Sequence, residues 1–283
     1  MCRLFGVARS THYARRARAN RPVPPRPRGR KPILPDEVLV TRIREVLAEA
    51  EALGFWGEGY RKVWARLRHR GTPVSKERVR RLMREHGLQA PHRPGNHRGP
   101  YVHDGSIIPD APNRIWGTDA TQVRTRKEGV ATVFVAIDHF VGDVVGIHAA
   151  RPGTRFEALE PIHQGIRDHY GPLAKDVAEG LVLRHDHGPQ YMSHAFQQEI
   201  AFLGIEASPS FVRAPEGNGV AERFIRTLKE QLLWVRTFDT VEELRLALLA
   251  FKARFNRNWL LQRHGYKTPA EVRAQYEPAK EAA

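Results

Sequence analysis

The chain has 283 residues, enough for one sizeable core and a smaller module, and it carries 46 Lys+Arg against 31 Asp+Glu, a formal net charge of +15. Its single cysteine, Cys2, excludes an intrachain disulfide and a thiolate metal site. No apolar run approaches the ~20 residues that span a bilayer, and the opening Met1-Cys2-Arg3-Leu4-Phe5 lacks the apolar core of a signal peptide. A cytoplasmic protein, neither secreted nor embedded in a membrane, is expected.

The charge is unevenly placed. Residues 1–105 hold 24 Lys+Arg and 9 Asp+Glu, whereas residues 106–283 hold 22 of each. Residues 1–35 contain ten basic residues and no acid, a density that suits a polyanion partner through phosphate neutralisation and counterion release; a solvated basic tail is the alternative. Pro22, Pro24, Pro25, Pro27, Pro32 and Pro35 make residues 20–35 an extended linker, and the stretch before it stays unassigned.

From Asp36 the pattern turns helical, with Val40, Ile43, Val46, Leu47 and Ala50 on one face until Gly54 and Gly57. A second helix is predicted over 59–69 and a third over 76–86, the latter N-capped by Ser75 and apolar at Val79, Leu82 and Met83. The third helix presents Lys76, Arg78, Arg80, Arg81 and Arg84, as a helix entering a major groove or tracking phosphates would. Periodicity alone leaves a small bundle with a solvated arginine face equally open; the charge imbalance favours a DNA-binding helix-turn-helix over 36–90.

Residues 91–112 read as a linker rich in proline and glycine. Three strands in short succession then predict a meander: Arg114 to Asp119, Val130 to Asp138 and Val141 to Ala149. A helix over 154–170, a strand over 181–184, a helix from about Ser193 to Leu203, a short strand near Ile205 and helices near 217–235 and 240–255 complete a mixed sheet covered by helices. This α/β domain spans 113–273, with a tail over 274–283.

Asp119, Asp186 and Glu222 stand out. Asp119 ends or interrupts the first strand, Asp186 follows the apolar strand Leu181-Val182-Leu183, and neighbouring strands bring the two together. At 100° per residue Glu222, Arg226 and Lys229 share one side of a helix whose Ala221, Phe224, Ile225, Leu228 and Leu232 form the other. Magnesium takes oxygen ligands and substrate phosphates, and two such ions can clamp an in-line displacement at phosphorus. Three carboxylates suffice for that. Taken singly, each acid reads more readily as a surface residue than as a ligand, and Glu222 as half of an i,i+4 pair with Arg226.

The segments Trp116-Gly117-Thr118-Asp119-Ala120-Thr121, His185-Asp186-His187-Gly188-Pro189-Gln190-Tyr191 and Asn218-Gly219-Val220-Ala221-Glu222-Arg223-Phe224-Ile225-Arg226-Thr227-Leu228-Lys229-Glu230 resemble the three signature segments of the integrase catalytic core. They are most similar to those of bacterial insertion-sequence transposases related to retroviral integrases. Gly59 to Trp64 and Val79 to Glu85 resemble the helix-turn-helix ahead of that core, and Thr268 to Val272 resembles its usual close.

The resemblance implies a ribonuclease-H-like fold with a five-stranded mixed sheet, and Asp119, Asp186 and Glu222 as catalytic ligands for Mg²⁺ or Mn²⁺, two ions in all. It implies a DNA transposase that cleaves element ends and joins the 3′ hydroxyl to target DNA, with Lys229 and Arg226 on the double-stranded DNA and a homo-oligomer assembled on it. It also implies a chain of the downstream-reading-frame type, supplied in some relatives as a fusion with an upstream product. The middle segment departs from the family pattern in reading His-Asp-His. A nuclease on the same fold and a DNA-binding protein without catalysis are the rival readings.

Four smaller expectations complete the survey. His185 and His187 either assist proton transfer or make local hydrogen bonds. Asp138 is a turn former. Gly217-Asn218-Gly219 either starts the catalytic helix or contacts phosphate. Trp116, Trp234 and Trp259 are expected to pack in the core, and no Walker-type loop calls for a nucleotide cofactor.

Overall fold

The computed structural model describes Gly6 and residues 8–19, 33–91, 109–209 and 218–276. Most of the linkers expected over 20–35 and 91–112, and of the tail over 274–283, lie outside these residues. The chain divides into two compact units, residues 1–39 and 40–283. In the first, α1 (Arg9–Ala19) buries no residue, because its sequence offers no apolar face.

Helix α2 (Asp36–Ala52) runs across the division and buries Leu39, Val40, Ile43, Val46 and Ala50 at three- and four-residue steps. Helix α3 (Tyr60–His69) buries Val63, Ala65 and Leu67. Helix α4 (Lys76–Glu85) starts where the Ser75 side chain accepts from Arg78 N, and it turns Val79, Leu82 and Met83 inward. Such a cap contributes roughly 1 kcal/mol.

The larger domain holds a sheet of order β3-β2-β1-β4-β5. Strands β1 (Ile115–Thr125), β2 (Gly129–Asp138) and β3 (Val144–Ala150) form the expected antiparallel meander. Strands β4 (Val182–His185) and β5 (Glu206–Pro209) add on in parallel, β4 against β1.

One boundary differs from expectation in a way that matters. Asp119 does not end β1; it pairs with Val135 in mid-strand, and the ladder continues to Thr125 opposite Gly129. The alternating Thr121, Val123 and Thr125 carry the pairing onward, since β-branched side chains suit a pleated surface.

Both faces of the sheet are covered, so successive residues of β2 serve two cores. Ala131, Val133, Val135 and Ile137 pack with Phe224 and Leu228 of α7 (Gly219–Leu228) and with Leu244, Leu248, Phe251 and Phe255 of α8 (Val241–Asn258). Phe134 and Ala136 join Trp116 and Leu183 against Ala158, Ile162 and Ile166 of α5 (Arg155–His169) and Phe196 and Ile200 of α6 (His194–Phe202). Each such fully buried aromatic or aliphatic side chain contributes about 1.5–3 kcal/mol.

Trp116 is fully buried and Trp259 packs against the first of these cores, as expected. Trp234 does not: it is 64% exposed. The reason lies in the five residues Lys229–Leu233, which form a π turn at the end of α7 and rotate the following residue off the buried face.

Two ties close the larger unit. Helix α9 (Pro269–Arg273) begins with a capping box between Thr268 and Glu271. It delivers Arg273 to a buried cluster, with Nε 2.7 Å from Asp143 Oδ2, Nη2 2.9 Å from Asp143 Oδ1 and Nη2 3.5 Å from Asp138 Oδ2. Asp138 is the turn former expected: its Oδ1 accepts from the Phe140 and Val141 amides at 2.8 Å.

The helical module is also fastened to the sheet domain. Arg66 grips Glu58 through two hydrogen bonds of 2.7 Å and reaches the Asn258 carbonyl at 3.3 Å. Lys62 Nζ lies 2.7 Å from the centroid of the Trp259 ring. Among the described residues, no helix is long and apolar enough to cross a membrane.

Candidate active site

Strand pairing alone brings the first two acids together. Gly117 of β1 faces Arg184 of β4 at the end of the parallel ladder; two residues farther along each chain come Asp119, in mid-strand, and Asp186, one residue past the end of β4, on strands about 4.8 Å apart. Asp119 is half-buried, whereas Asp186 and Glu222 are exposed.

The carboxyl of Asp119 reports its neighbours. It is pushed up from 3.8 to about 6, first by burial and then by the charges of Asp186 and Glu222; the Ala120 amide, which donates to it at 2.7 Å, and the charge of Lys229 act the other way. Three carboxylates and one lysine from β1, the β4–α6 connection, α7 and the π turn therefore share one electrostatic environment.

Local chemistry fixes each acid. Asp186 Oδ1 accepts from the Gly188 amide at 2.8 Å, turning the chain directly after β4. The buried His185 ring donates through Nδ1 to the Asp186 carbonyl at 2.8 Å and stacks on the buried Tyr191 at 5.8 Å between centroids. Burial lowers its pKa, so the local hydrogen-bonding reading holds for His185. His187 is exposed.

Glu222 is placed by a contact that periodicity does not show. Asn218, buried at the start of α7, spends its amide across the domain: Nδ2 donates to the Thr118 carbonyl at 2.9 Å, one residue before Asp119. The close approach requires glycine at 117, where a Cβ would lie 2.5 Å from both Asn218 Oδ1 and His139 Nε2. His139 is itself buried, and that burial, with Arg184 and Arg263 nearby, lowers its pKa to about 4, Asn218 opposing. Asn218 thus starts the helix, as expected, but by clamping it to β1. The only hint in the sequence was an asparagine four residues before the glutamate and a glycine two before the aspartate.

The face of α7 is the one anticipated. Ala221, Phe224, Ile225 and Leu228 are buried; Glu222 and Arg226 are exposed, and Lys229 is half-buried. Arg226 Nε lies 3.2 Å from Glu230 Oε1. On α4, Lys76, Arg80, Arg81 and Arg84 are exposed and Arg78 half-buried. Several are engaged on their own module: Lys76 Nζ sits 4.5 Å from the Trp64 centroid, Arg80 reaches Glu77 at 3.4 Å, and Arg81 reaches Glu85 at 2.7 Å. Exposed pairs of this kind are worth at most about 1 kcal/mol and exchange readily for phosphates.

In donor type and charge the three acids suit a hard divalent cation, which binds carboxylate oxygens and relieves their repulsion. Among the described residues, no three His, Cys, Asp or Glu side chains stand close enough to enclose an ion by themselves.

An HTH-like domain family matches residues 35–95, and two integrase core domain families match residues 109–215 and 203–269, together more than half of the chain. A putative transposase of insertion sequence element IS986/IS6110 from Mycobacterium tuberculosis is 29% identical over 83% of this chain and 87% of its own length. The transposase of insertion sequence element IS629 from Shigella sonnei is 26% identical over 98% of this chain and 91% of its own. The chain belongs to the integrase-core family of bacterial insertion-sequence transposases. Among solved structures, the HTLV-2 integrase catalytic core in complex with magnesium is 23% identical, covering 60% of this chain and 99% of that one, with a TM-score of 0.41. The mixed five-stranded sheet with flanking helices and a preceding helical module is the ribonuclease-H-like architecture of this integrase-core family.

Proposed function

We propose that this chain is a DNA transposase in which Asp119, Asp186 and Glu222 hold two divalent cations, Mg²⁺ or Mn²⁺, and catalyse cleavage at element ends followed by strand transfer. The observation that carries the reading is the shared environment of the three acids, felt at Asp119 as a carboxyl raised to about 6 by burial and by Asp186 and Glu222. Mutually repelling carboxylates brought near one another cost stability unless a cation joins them.

When bound, divalent ions supply Lewis-acid stabilisation of the charge that develops on the attacking and leaving oxygens. The chain's own residues set the geometry. Asn218 and Gly117 hold α7 against β1, so Glu222 approaches Asp119 from a fixed direction. The Gly188 amide orients Asp186. Arg226 and Lys229, on the same side of α7 as Glu222, take the flanking phosphates of the DNA.

In the first step a water oxygen bonds to phosphorus as the bond from phosphorus to the 3′ oxygen breaks, and that oxygen leaves with a proton as a 3′ hydroxyl. In the second, this hydroxyl loses its proton as its oxygen bonds to a target phosphorus, and the target's own 3′ oxygen departs. One phosphodiester is exchanged for another, so no nucleotide cofactor is consumed.

The division of labour follows the chain: a basic segment over 1–35, a DNA-binding helix-turn-helix over 36–90 using Lys76, Arg78, Arg80, Arg81 and Arg84, a linker over 91–112 and the catalytic core over 113–273. The protein works as a homo-oligomer on double-stranded DNA, which joining two ends requires, and an upstream-frame product fused to it extends its DNA contacts. The test is incubation of the purified chain with the ends of its own element, target DNA and Mg²⁺. Joined products are expected; nicked products alone would indicate a nuclease, and bound but intact DNA a binding protein.

A further inference from the structure

The continuation of α7 carries a feature that the proposed catalysis leaves unused. Lys229–Leu233 is a π turn, closed by the Trp234 amide donating to the Lys229 carbonyl at 2.9 Å, five residues back. In an uninterrupted α-helix Trp234 would stand about 120° around from Glu222, since each residue turns about 100°. The π turn takes up one extra residue, which sets Trp234 back by about one step. Glu222, Arg226, Lys229 and Trp234 therefore form one column along the helix.

Trp234 is 64% exposed. Gln231, three residues earlier, accepts from the Trp56 amide at 2.7 Å and donates to the Trp56 carbonyl at 3.0 Å, so one side-chain amide grips both polar groups of that residue's backbone. Trp56, 51% exposed, is thereby carried by the helical module to the same turn. An exposed indole and the cations along the same helix together offer aromatic area and charge to a partner. Their setting names the occupant: the column begins at the carboxylates and passes two cations, so a DNA strand with its reacting phosphate at Glu222 and its next phosphates on Arg226 and Lys229 is led onto Trp234. Indole faces beside cations are the platform on which unstacked nucleobases bind.

We propose that Trp234 stacks on an unpaired base of the bound DNA, which rests on the transposase reading above. Twelve residues at 1.5 Å span about 18 Å, and at about 3.4 Å per nucleotide the stacked base lies about five nucleotides from the reacting phosphate. The platform holds the strand open there and sets how far the reacting end extends into the site.

The experiment uses the full chain and duplexes of its own element's end in which 2-aminopurine replaces one base at a time, over the ten nucleotides nearest the scissile phosphate. Fluorescence is read without divalent metal, so that binding and chemistry are separated. In the wild type and in Glu222→Gln, one position near the fifth nucleotide should respond on binding. Trp234→Ala should abolish that response and weaken binding about 5- to 30-fold, Trp234→Phe should restore most of both, and the melting temperature should be unchanged because the side chain is exposed. Absence of any position whose signal depends on Trp234 would overturn the proposal even where the chain joins DNA normally. A Trp234→Ala variant with an intact DNA signal but an altered oligomeric mass would overturn it in favour of a protein contact. Failure of the wild type to join DNA, with the Trp234-dependent signal present, would refute the catalytic reading and leave the platform standing.

Discussion

Helices α4 and α7 are each ten residues long, each strongly amphipathic, and each presents basic side chains to solvent, yet they hold their acids in opposite ways. On α4, Glu77 and Glu85 sit among arginines and pair with Arg80 and Arg81, so the helix surface is a plane of exchangeable charge. On α7, the acid at Glu222 faces other acids, and Asp119 registers it as repulsion. An acid among cations is compensated already; an acid among acids is not. Helical periodicity reveals both faces equally and cannot tell these cases apart, because compensation depends on what other strands bring near.

The sharpest way to break this comparison is Glu222→Gln. It keeps the shape of α7 and removes one carboxylate, so strand transfer should fall by about three orders of magnitude, a loss of roughly 4 kcal/mol in the transition state, while DNA affinity in filter binding stays within twofold. Activity near wild type would place Glu222 with the paired acids of α4.

Asn218→Ala comes next. It cuts the link from α7 to the Thr118 carbonyl and leaves Glu222 itself in place. Joining should drop about 30-fold, roughly 2 kcal/mol, with a higher Mn²⁺ concentration needed for half-maximal rate and little change in DNA affinity. A uniform loss of melting temperature with an unchanged metal requirement would make Asn218 a folding residue only.

Lys62 tests what happens when burial outweighs the nearby opposite charge, here that of Glu58. Burial lowers its pKa from 10.5 to about 7, so the unfolded chain takes up a proton below 10.5 that the folded chain resists until about 7. Folding is therefore penalised as pH falls through that window, and the penalty is complete below it. Lys62→Met should raise stability at pH 7 by about 1–2 kcal/mol, less than the shift implies because contact with the Trp259 ring is given up, and the gain should vanish above pH 10.5. Urea unfolding at the two pH values measures this; an equal gain at both would assign it to packing.

The smallest effect belongs to α4. Arg84→Ala should weaken DNA binding about threefold for every sequence and lower the slope of log affinity against log salt by about one, with stability changed by less than about 0.5 kcal/mol. An unchanged slope would remove Arg84 from the phosphate contacts.

Much of this was legible in the residues. The meander, Asp186 directly after β4, the Ser75 cap, the Asp138 turn and the buried side of α7 all follow from local rules: period, turn chemistry and capping. The misses have a common cause. Asp119 was read at a strand end and lies in mid-strand because β2 pairs beyond it; Trp234 was read as core and lies outside because a π turn resets the helix; Asn218 was read as local and reaches Thr118. Each depends on a partner far along the chain, or on a backbone adjustment that leaves no periodic trace. The three acids were legible only through the resemblance of their segments, since composition and spacing left each of them a surface residue.

Among the described residues, the guanidinium that bonds the buried Asp138 and Asp143 comes from α9, with the charge of Arg263 nearby. Asp138 immediately precedes His139, whose ring leans on Gly117 behind the carboxylates. During synthesis, then, the strands bearing Asp119 and Asp186 leave the ribosome long before the residue that steadies the turn beside them. A nascent chain stopped short of α9 would hold those strands without the guanidinium that braces the turn beside them.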